Sequence, residues 1–284
     1  MKIIDTHNHL WVCEGEHFEW ITADLEAIRR DFTIEDLIDV LEGHQVEGAI
    51  LVQAVPQLEE SEWLLRIAAD TPQIKGVVGW ADMTKGQRVG SDLDRLISQS
   101  NKLKGIRYMS QGLPAEHLID PDFIDGVRCV GERGLVYELL ITPSQLACVA
   151  QLISQCPDTT FVIEHCAKPI IRECLIEEWQ EGIRFIGQRY SNVYCKLSGI
   201  ATEANYGCWK DQDQAYKDLE PYIDAVFNAF GDRRVMFGSD WPVSLLALHY
   251  ADIVSLCQRY LKSHPHYSME QFYHAVAEHV YSLK

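Results

Sequence analysis

The chain has 284 residues, 47% of them hydrophobic and 24% charged, and carries a formal net charge of −17. That length suffices to bury a large core without disulfides or structural metals, and a field of that sign repels phosphate backbones and anionic bilayers, which sets aside nucleic acid and membrane surfaces as partners. The nine cysteines form no C-x-x-C pair, no apolar run is long enough to span a bilayer, and the sequence opens on a strand-like segment with no leader before it, so reduced thiols in a cytoplasmic protein are expected.

Short runs rich in Val, Ile and Leu recur along the chain, each followed by a stretch of helical period. The first strand is expected at 3–9. Thr33 with Asp36 three residues on makes a cap for a helix over 34–42. A second strand follows at 47–53 and a helix across 62–69. The third strand is 75–80, with a helix from a Ser91 cap through residue 97. The fourth is 103–108, with a helix near 123–132, and the fifth is 135–141, with a helix opening at Pro143, where proline suits a first turn. The sixth and seventh strands fall at 160–165 and 193–198. The eighth, 235–239, leads to a helix over 245–261 and a last one from Ser268. Residues 13–31 and 200–220 read as loops over one barrel mouth.

Eight strand–helix units point to a parallel sheet, since each parallel connection needs a crossover. A closed (β/α)8 barrel, the TIM barrel, accommodates that count at this length. A doubly wound open sheet is disfavoured, because no Gly-rich phosphate turn follows the first strand. With no linker and no shift in composition, one domain over 1–284 is expected.

The chemistry-bearing residues fall at strand ends. In DTHNHLW (5–11), His7 and His9 are two apart on a strand and project to one side, where two neutral imidazoles suit a divalent metal such as zinc. In FGSDWP (237–242), Asp240 follows an apolar strand. Such an aspartate is commonly a helix cap, but barrel closure makes the first and eighth strands neighbours and so brings Asp240 to His7 and His9. His165, in VIEHCAKP (162–169), ends the sixth strand at the same mouth. Lys168 offers a charge to a substrate oxygen, or is a solvated loop residue. Arg107 ends the fourth strand, and inside a barrel it must be paired or face a ligand; Lys196 and Ser198 follow the same logic with less force. Glu138, a carboxylate in an apolar fifth strand, either reaches the mouth as a ligand or pairs with a cation.

These stretches, in order from DTHNHLW through LVQA, VVGWADM, KGIRY, VIEHCAKP and KLSG to MFGSDWPV, resemble the amidohydrolase superfamily, specifically its amidohydrolase-2 group of sugar-acid lactonases, the L-fuconolactonases and L-rhamnonolactonases, with 2-pyrone-4,6-dicarboxylate lactonase further off. The resemblance implies an amidohydrolase-like barrel that hydrolyses a small sugar lactone. His7, His9 and Asp240 would be its metal set. Asp240 and His165 would be its catalytic pair, Asp240 activating water. The chain departs from metal-dependent members in lacking a histidine after the fifth strand, where Glu138 is the nearest candidate. One divalent metal, zinc by donor type, and a metal-free mechanism therefore both stay open. Without metal, His165 and Arg107 would polarise the carbonyl.

Arg107, Lys168, Trp11, Trp241 and Gln53, with Trp20, are candidates for holding the sugar, although each of the tryptophans and Gln53 is equally suited to packing. Two other readings compete: a metal-dependent decarboxylase of an aromatic or unsaturated acid, and a non-catalytic sugar-acid-binding barrel. A homo-oligomer is compatible with the sequence, which does not choose among lactones.

Overall fold

In the computed structural model, which describes residues 2–283, eight parallel strands follow one another around a barrel in chain order. They are β1 (Ile4–Asn8), β2 (Gly48–Val52), β3 (Ile74–Gly79), β4 (Leu103–Met109), β5 (Val136–Leu140), β6 (Thr160–Ile163), β7 (Val193–Leu197) and β8 (Val235–Phe237). The helices between them are α1 (Ile34–Gly43), α2 (Leu58–Asp70), α3 (Gly90–Gln99), α4 (Pro121–Glu132), α5 (Leu146–Gln155), α6 (Glu177–Arg189) and α7 (Gln212–Phe230), with α8 (Tyr250–Ser263) and α9 (Val276–Val280) after β8. The (β/α)8 expectation holds. No helix among the described residues is long and apolar enough to cross a membrane.

The barrel is nearly closed, and its seam is stitched just beyond β8. Thr6 Oγ1 donates to the Phe237 carbonyl at 2.7 Å, Asp240 N to His7 O at 3.0 Å and His9 N to Trp241 O at 2.8 Å. The Asp5 carboxylate accepts from Ser239 N at 2.8 Å and from the Tyr250 hydroxyl on α8 at 2.9 Å. Residue 5 thus ties the first strand to the eighth and to the outer helix behind it.

Local chemistry explains most element boundaries. Thr33 and Asp36 form the expected reciprocal cap of α1, and Asp120 with Pro121 opens α4. Pro143 begins a single 3-10 turn, capped by Thr142 and Gln145, that runs into α5. Ser91 does not cap α3: the helix already includes it, and its hydroxyl donates back to Arg88 O. Ser268 meets the amide of Gln271, but the chain then makes one π-helical turn, Gln271–Ala275, before α9.

Two stretches depart from the expected pattern. Helix α6, between β6 and β7, has no counterpart in the pattern expected from the sequence. The segment 200–220 is only half a loop, because α7 starts at Gln212 behind an Asp211 cap that accepts from Gln214 N. Its first turns are polar and Pro221 lies within it, which disguised the helical spacing of Ala215, Tyr216, Leu219, Tyr222 and Ile223, all buried. Residues 13–31 do form a loop, carrying two 3-10 segments.

The core has two parts. The larger fills the space between strands and helices. The smaller lies inside the barrel, where Ile4, Ile50, Val52, Val78, Val136, Val162 and Met236 meet Val276, Ala277, Val280 and Tyr281. Since Ile4 and Val136 are the first residues of their strands, α9 closes the barrel at its strand-start end. The floor is therefore apolar, and the functional groups gather at the opposite end.

Candidate active site

Alternation along β1 does not by itself put both histidines inside. Ile4 faces the barrel interior and Asp5 faces α8, so strict period two would turn His7 outward. The pairing of β1 with β2 shifts register between Asp5 and Asn8, and such an irregularity re-aims side chains. His7 thereby lies against His165, ring centroids 4.5 Å apart, and the Nε2 atoms of His7 and His9 stand 3.1 Å apart. Both rings are buried.

Asp240 enters from the other side of the seam with φ +61°. Its Oδ1 is 3.5 Å from His9 Nε2, 3.7 Å from His7 Nε2 and 4.0 Å from His165 Nε2. Burial alone would raise its carboxyl, but the adjoining His165 and His9 rings and the Lys168 charge hold it below the usual aspartate range, so it is ionised at neutral pH. His7 is pushed well below the usual imidazole range by burial and by His165, Lys196, His9 and Arg107, and burial lowers His165 as well. Both rings are neutral at pH 7.

β6 ends at Ile163 rather than at His165, and the next turn is left-handed: His165, Cys166, Ala167 and Lys168 all have φ between +49° and +59°. That conformation costs each non-glycine residue energy and persists only where the surroundings enforce it. It leaves His165 with Nδ1 2.9 Å from the Ser198 hydroxyl and Nε2 turned to Asp240. Gly199, at φ +57°, backs this pair. A Cβ there would lie 2.5 Å from His165 Nδ1 and 2.9 Å from Asp240 Oδ2.

The donor set fits a cation. His9 Nδ1 lies 2.8 Å from the Val52 carbonyl, which can only accept, so Nδ1 carries the proton and Nε2 is a lone pair. His7 Nδ1 faces the Glu164 carboxylate at 3.6 Å. A proton on that nitrogen makes His7 Nε2 a lone pair too. Two lone pairs and a carboxylate oxygen then converge, as His7, His9 and Asp240, within a few ångströms, and nitrogens bound to one tetrahedral zinc at about 2.0–2.1 Å stand roughly 3.3 Å apart.

Beneath the mouth lies a charged layer that the sequence only half reveals. Arg107 Nη1 meets Glu164 Oε2 at 2.9 Å, and Nη2 donates to the Gln53 carbonyl. Lys196 Nζ meets Glu138 Oε2 at 2.5 Å, and the Tyr281 hydroxyl donates to Glu138 Oε1 at 2.5 Å. Of the two roles open to Glu138, the structure shows the cation pair and no approach to the histidines. The two carboxyl groups feel each other's charge and titrate apart. Burial pushes Glu138 up to about 8 against the pull of Lys196, so it keeps its proton at pH 7. For Glu164, burial is overridden by the Arg107 and Lys196 charges, which hold it far below the usual range. Glu164 is the residue that sequence reasoning passed over. The available signal was a charge two positions after the inward Val162, the same logic that singled out Arg107.

The remaining candidates divide. Lys168 is paired with Glu203 at 2.5 Å at the rim. Trp11 is buried, donates to Arg30 O at 2.9 Å and packs on Phe32, and Trp241 meets Phe32 edge to face at 5.2 Å; both are packed as core residues. Trp20, against Trp11 and 49% exposed, stays on the loop surface. Gln53 is fully buried beside the Val52 carbonyl that anchors His9.

A parallel eight-stranded barrel that gathers H-x-H from its first strand, a histidine after its sixth and an aspartate after its eighth at one mouth has the architecture of a barrel hydrolase. The chain belongs to the amidohydrolase family, whose model matches residues 4–283. It is 34% identical to the L-fucono-1,5-lactonase of Burkholderia ambifaria over 253 residues, 88% of this chain and 83% of that protein. It is 32% identical to the L-fucono-1,5-lactonase of Burkholderia multivorans over 270 residues, 92% of this chain and 88% of that one. A crystal structure of an amidohydrolase from Burkholderia multivorans with bound Zn superposes at a TM-score of 0.91 and 30% identity, covering all of both chains.

Proposed function

We propose that the protein is a sugar-acid lactonase that opens an L-fuconolactone-type ring, with Asp240 as general base. The observation that carries the reading is the ionised, buried Asp240 carboxylate held 3.5–4.0 Å from three histidine Nε2 atoms at the barrel mouth. The relatives named as L-fucono-1,5-lactonases support the substrate class.

A lactone is a cyclic ester, so opening it needs a positioned water, a base and stabilisation of the oxyanion. His7, His9 and Asp240 would hold one divalent metal, zinc by donor type, which when bound supplies Lewis-acid polarisation. Asp240 takes a proton from water as the water oxygen bonds to the ring carbonyl carbon. The ring C–O bond then breaks, and Asp240 returns the proton to the departing sugar oxygen. His165, neutral and tied through Nδ1 to Ser198, turns Nε2 toward the carboxylate and keeps its place during the proton's passage. Arg107 and Glu164 act from below, Glu164 orienting His7 through Nδ1.

The test is a panel of sugar lactones read by a pH indicator, before chelation, after exhaustive chelation and after zinc is restored. Ring opening that chelation abolishes and zinc restores is expected. Release of CO₂ from an aromatic acid with no lactone opened would overturn the reading.

A further inference from the structure

Buried polar side-chain atoms nearly always find a hydrogen-bond partner, and each one that does not calls for an explanation. Among the described residues, several such atoms fall on three consecutive strands at the mouth end. Gln53 directly follows β2, Trp80 directly follows β3 and Arg107 lies in β4. Both amide atoms of Gln53, the indole Nε1 of Trp80 and Nε of Arg107 are buried without a partner. Neighbouring backbone fixes their place: His9 Nδ1 donates to Val52 O, Gln53 N donates to Val78 O, and Arg107 donates to Gln53 O. Gln53 is thus locked between the anchor of a metal-set histidine and the arginine below it. The backbone N and O of Trp80 are both occupied by Ser61, and its ring lies along Tyr108 at 6.3 Å and 24°, so only the indole N–H is left over.

We infer that Gln53 and Trp80 form a hydroxyl-reading wall of the substrate site, on the β2–β4 side of the mouth, facing the β6–β8 side that supplies His165, Ser198 and Asp240. The chemistry of the unmet atoms sets the ligand class. An amide needs an acceptor for its NH₂ and a donor for its oxygen. A sugar hydroxyl is both, so adjacent hydroxyls satisfy Gln53 completely and leave an oxygen for the Trp80 N–H. A carboxylate only accepts and would leave Gln53 Oε1 unmet. The wall therefore selects a polyhydroxylated lactone over a planar dicarboxylate one. This extends the lactonase reading, on which its kinetic assay rests.

The experiment compares L-fucono-1,5-lactone with δ-valerolactone, the same ring without hydroxyls, in wild type, Gln53→Leu and Trp80→Phe. A site built to bond a hydroxyl discriminates strongly because unpaired buried groups are costly. The ratio of kcat/KM, sugar lactone over bare lactone, is expected to fall about 10- to 100-fold in Gln53→Leu and about 5- to 10-fold in Trp80→Phe, mainly through KM. Ratios within about threefold of wild type in both variants would overturn the inference. Trp80→Phe changes one N–H on a half-buried ring and keeps the test alive if Gln53→Leu does not fold. If wild type opens neither lactone, the lactonase reading fails on its own. The wall is then judged by L-fuconate raising the Tm of wild type and not of the variants; no shift, or equal shifts, overturns it.

Discussion

Replacing Arg107 by methionine removes the guanidinium that stands 2.9 Å from Glu164 in a layer where the two side chains are 3% and 0% exposed. Methionine fills similar length without charge, so the variant isolates the electrostatic loss. Glu164 would remain ionised among His7, Glu138 and Lys196, with its strongest source of stabilisation gone. Breaking a buried pair from one side costs about 3–5 kcal/mol, because a buried charge is left uncompensated. For a chain of 284 residues the unfolding entropy is about 0.6 kcal/mol per K, from about 2.1 cal/mol/K per residue, so Tm should drop by about 5–8 °C. Differential scanning calorimetry at pH 7 measures it. The companion variant, Arg107→Met with Glu164→Leu, removes both charges and should recover most of the drop. A single variant within about 2 °C of wild type, or a double variant no better than the single, refutes the claim that this pair is held by mutual compensation.

Asp240→Asn keeps the shape and removes the base; its kcat for lactone opening should fall about 10²–10⁴-fold, and activity within about tenfold of wild type would reject the role. Gly199→Ala places a methyl 2.5 Å from His165 Nδ1 in a left-handed backbone; we expect about 1–3 kcal/mol of lost stability together with a lower kcat, seen by urea titration and initial rates. Glu138 is raised from 4.5 to about 8 on folding, so the folded state holds a proton that the unfolded chain releases. Stability should therefore fall as pH climbs from about 4.5 to about 8, by at most about 1.4 kcal/mol per pH unit from this group, and then level off. In Glu138→Gln that contribution is gone, and urea midpoints against pH should show a flatter slope; identical slopes would reject the assignment.

Much of this molecule was legible in its sequence because the signals were local or fixed by topology. A run such as Gly48–Val52 is apolar on both faces, as a barrel strand must be, and Thr33 with Asp36 caps its helix wherever the helix goes. Barrel closure let two residues 233 positions apart, His7 and Asp240, be placed together without any contact being known. What escaped depended on long-range partners. Helix α6 carries five charged residues in thirteen, and its buried face of Trp179, Ile183, Ile186 and Gly187 is narrow. The expectation that the sixth strand runs to His165 ignored the left-handed turn, which nothing in Glu-His-Cys-Ala-Lys announces. Glu164 was overlooked because its partners, Arg107 and His7, come from other strands. The i, i+2 spacing of His7 and His9 accounts for their lying side by side, but the register shift in β1 that turns them inward leaves no mark in the sequence.

The apolar floor made by α9 also orders events in time. Synthesis runs from Ile4 toward Tyr281, yet these residues share one cluster. A growing chain can pair its strands in succession, but the barrel keeps a hole at one end, with Glu138 lacking its hydroxyl donor, until residues 276–281 have left the ribosome. Nascent chains halted before residue 276 should accordingly remain protease-sensitive even though all eight strands are present, because the turn at 276–281 is the one that plugs the barrel floor.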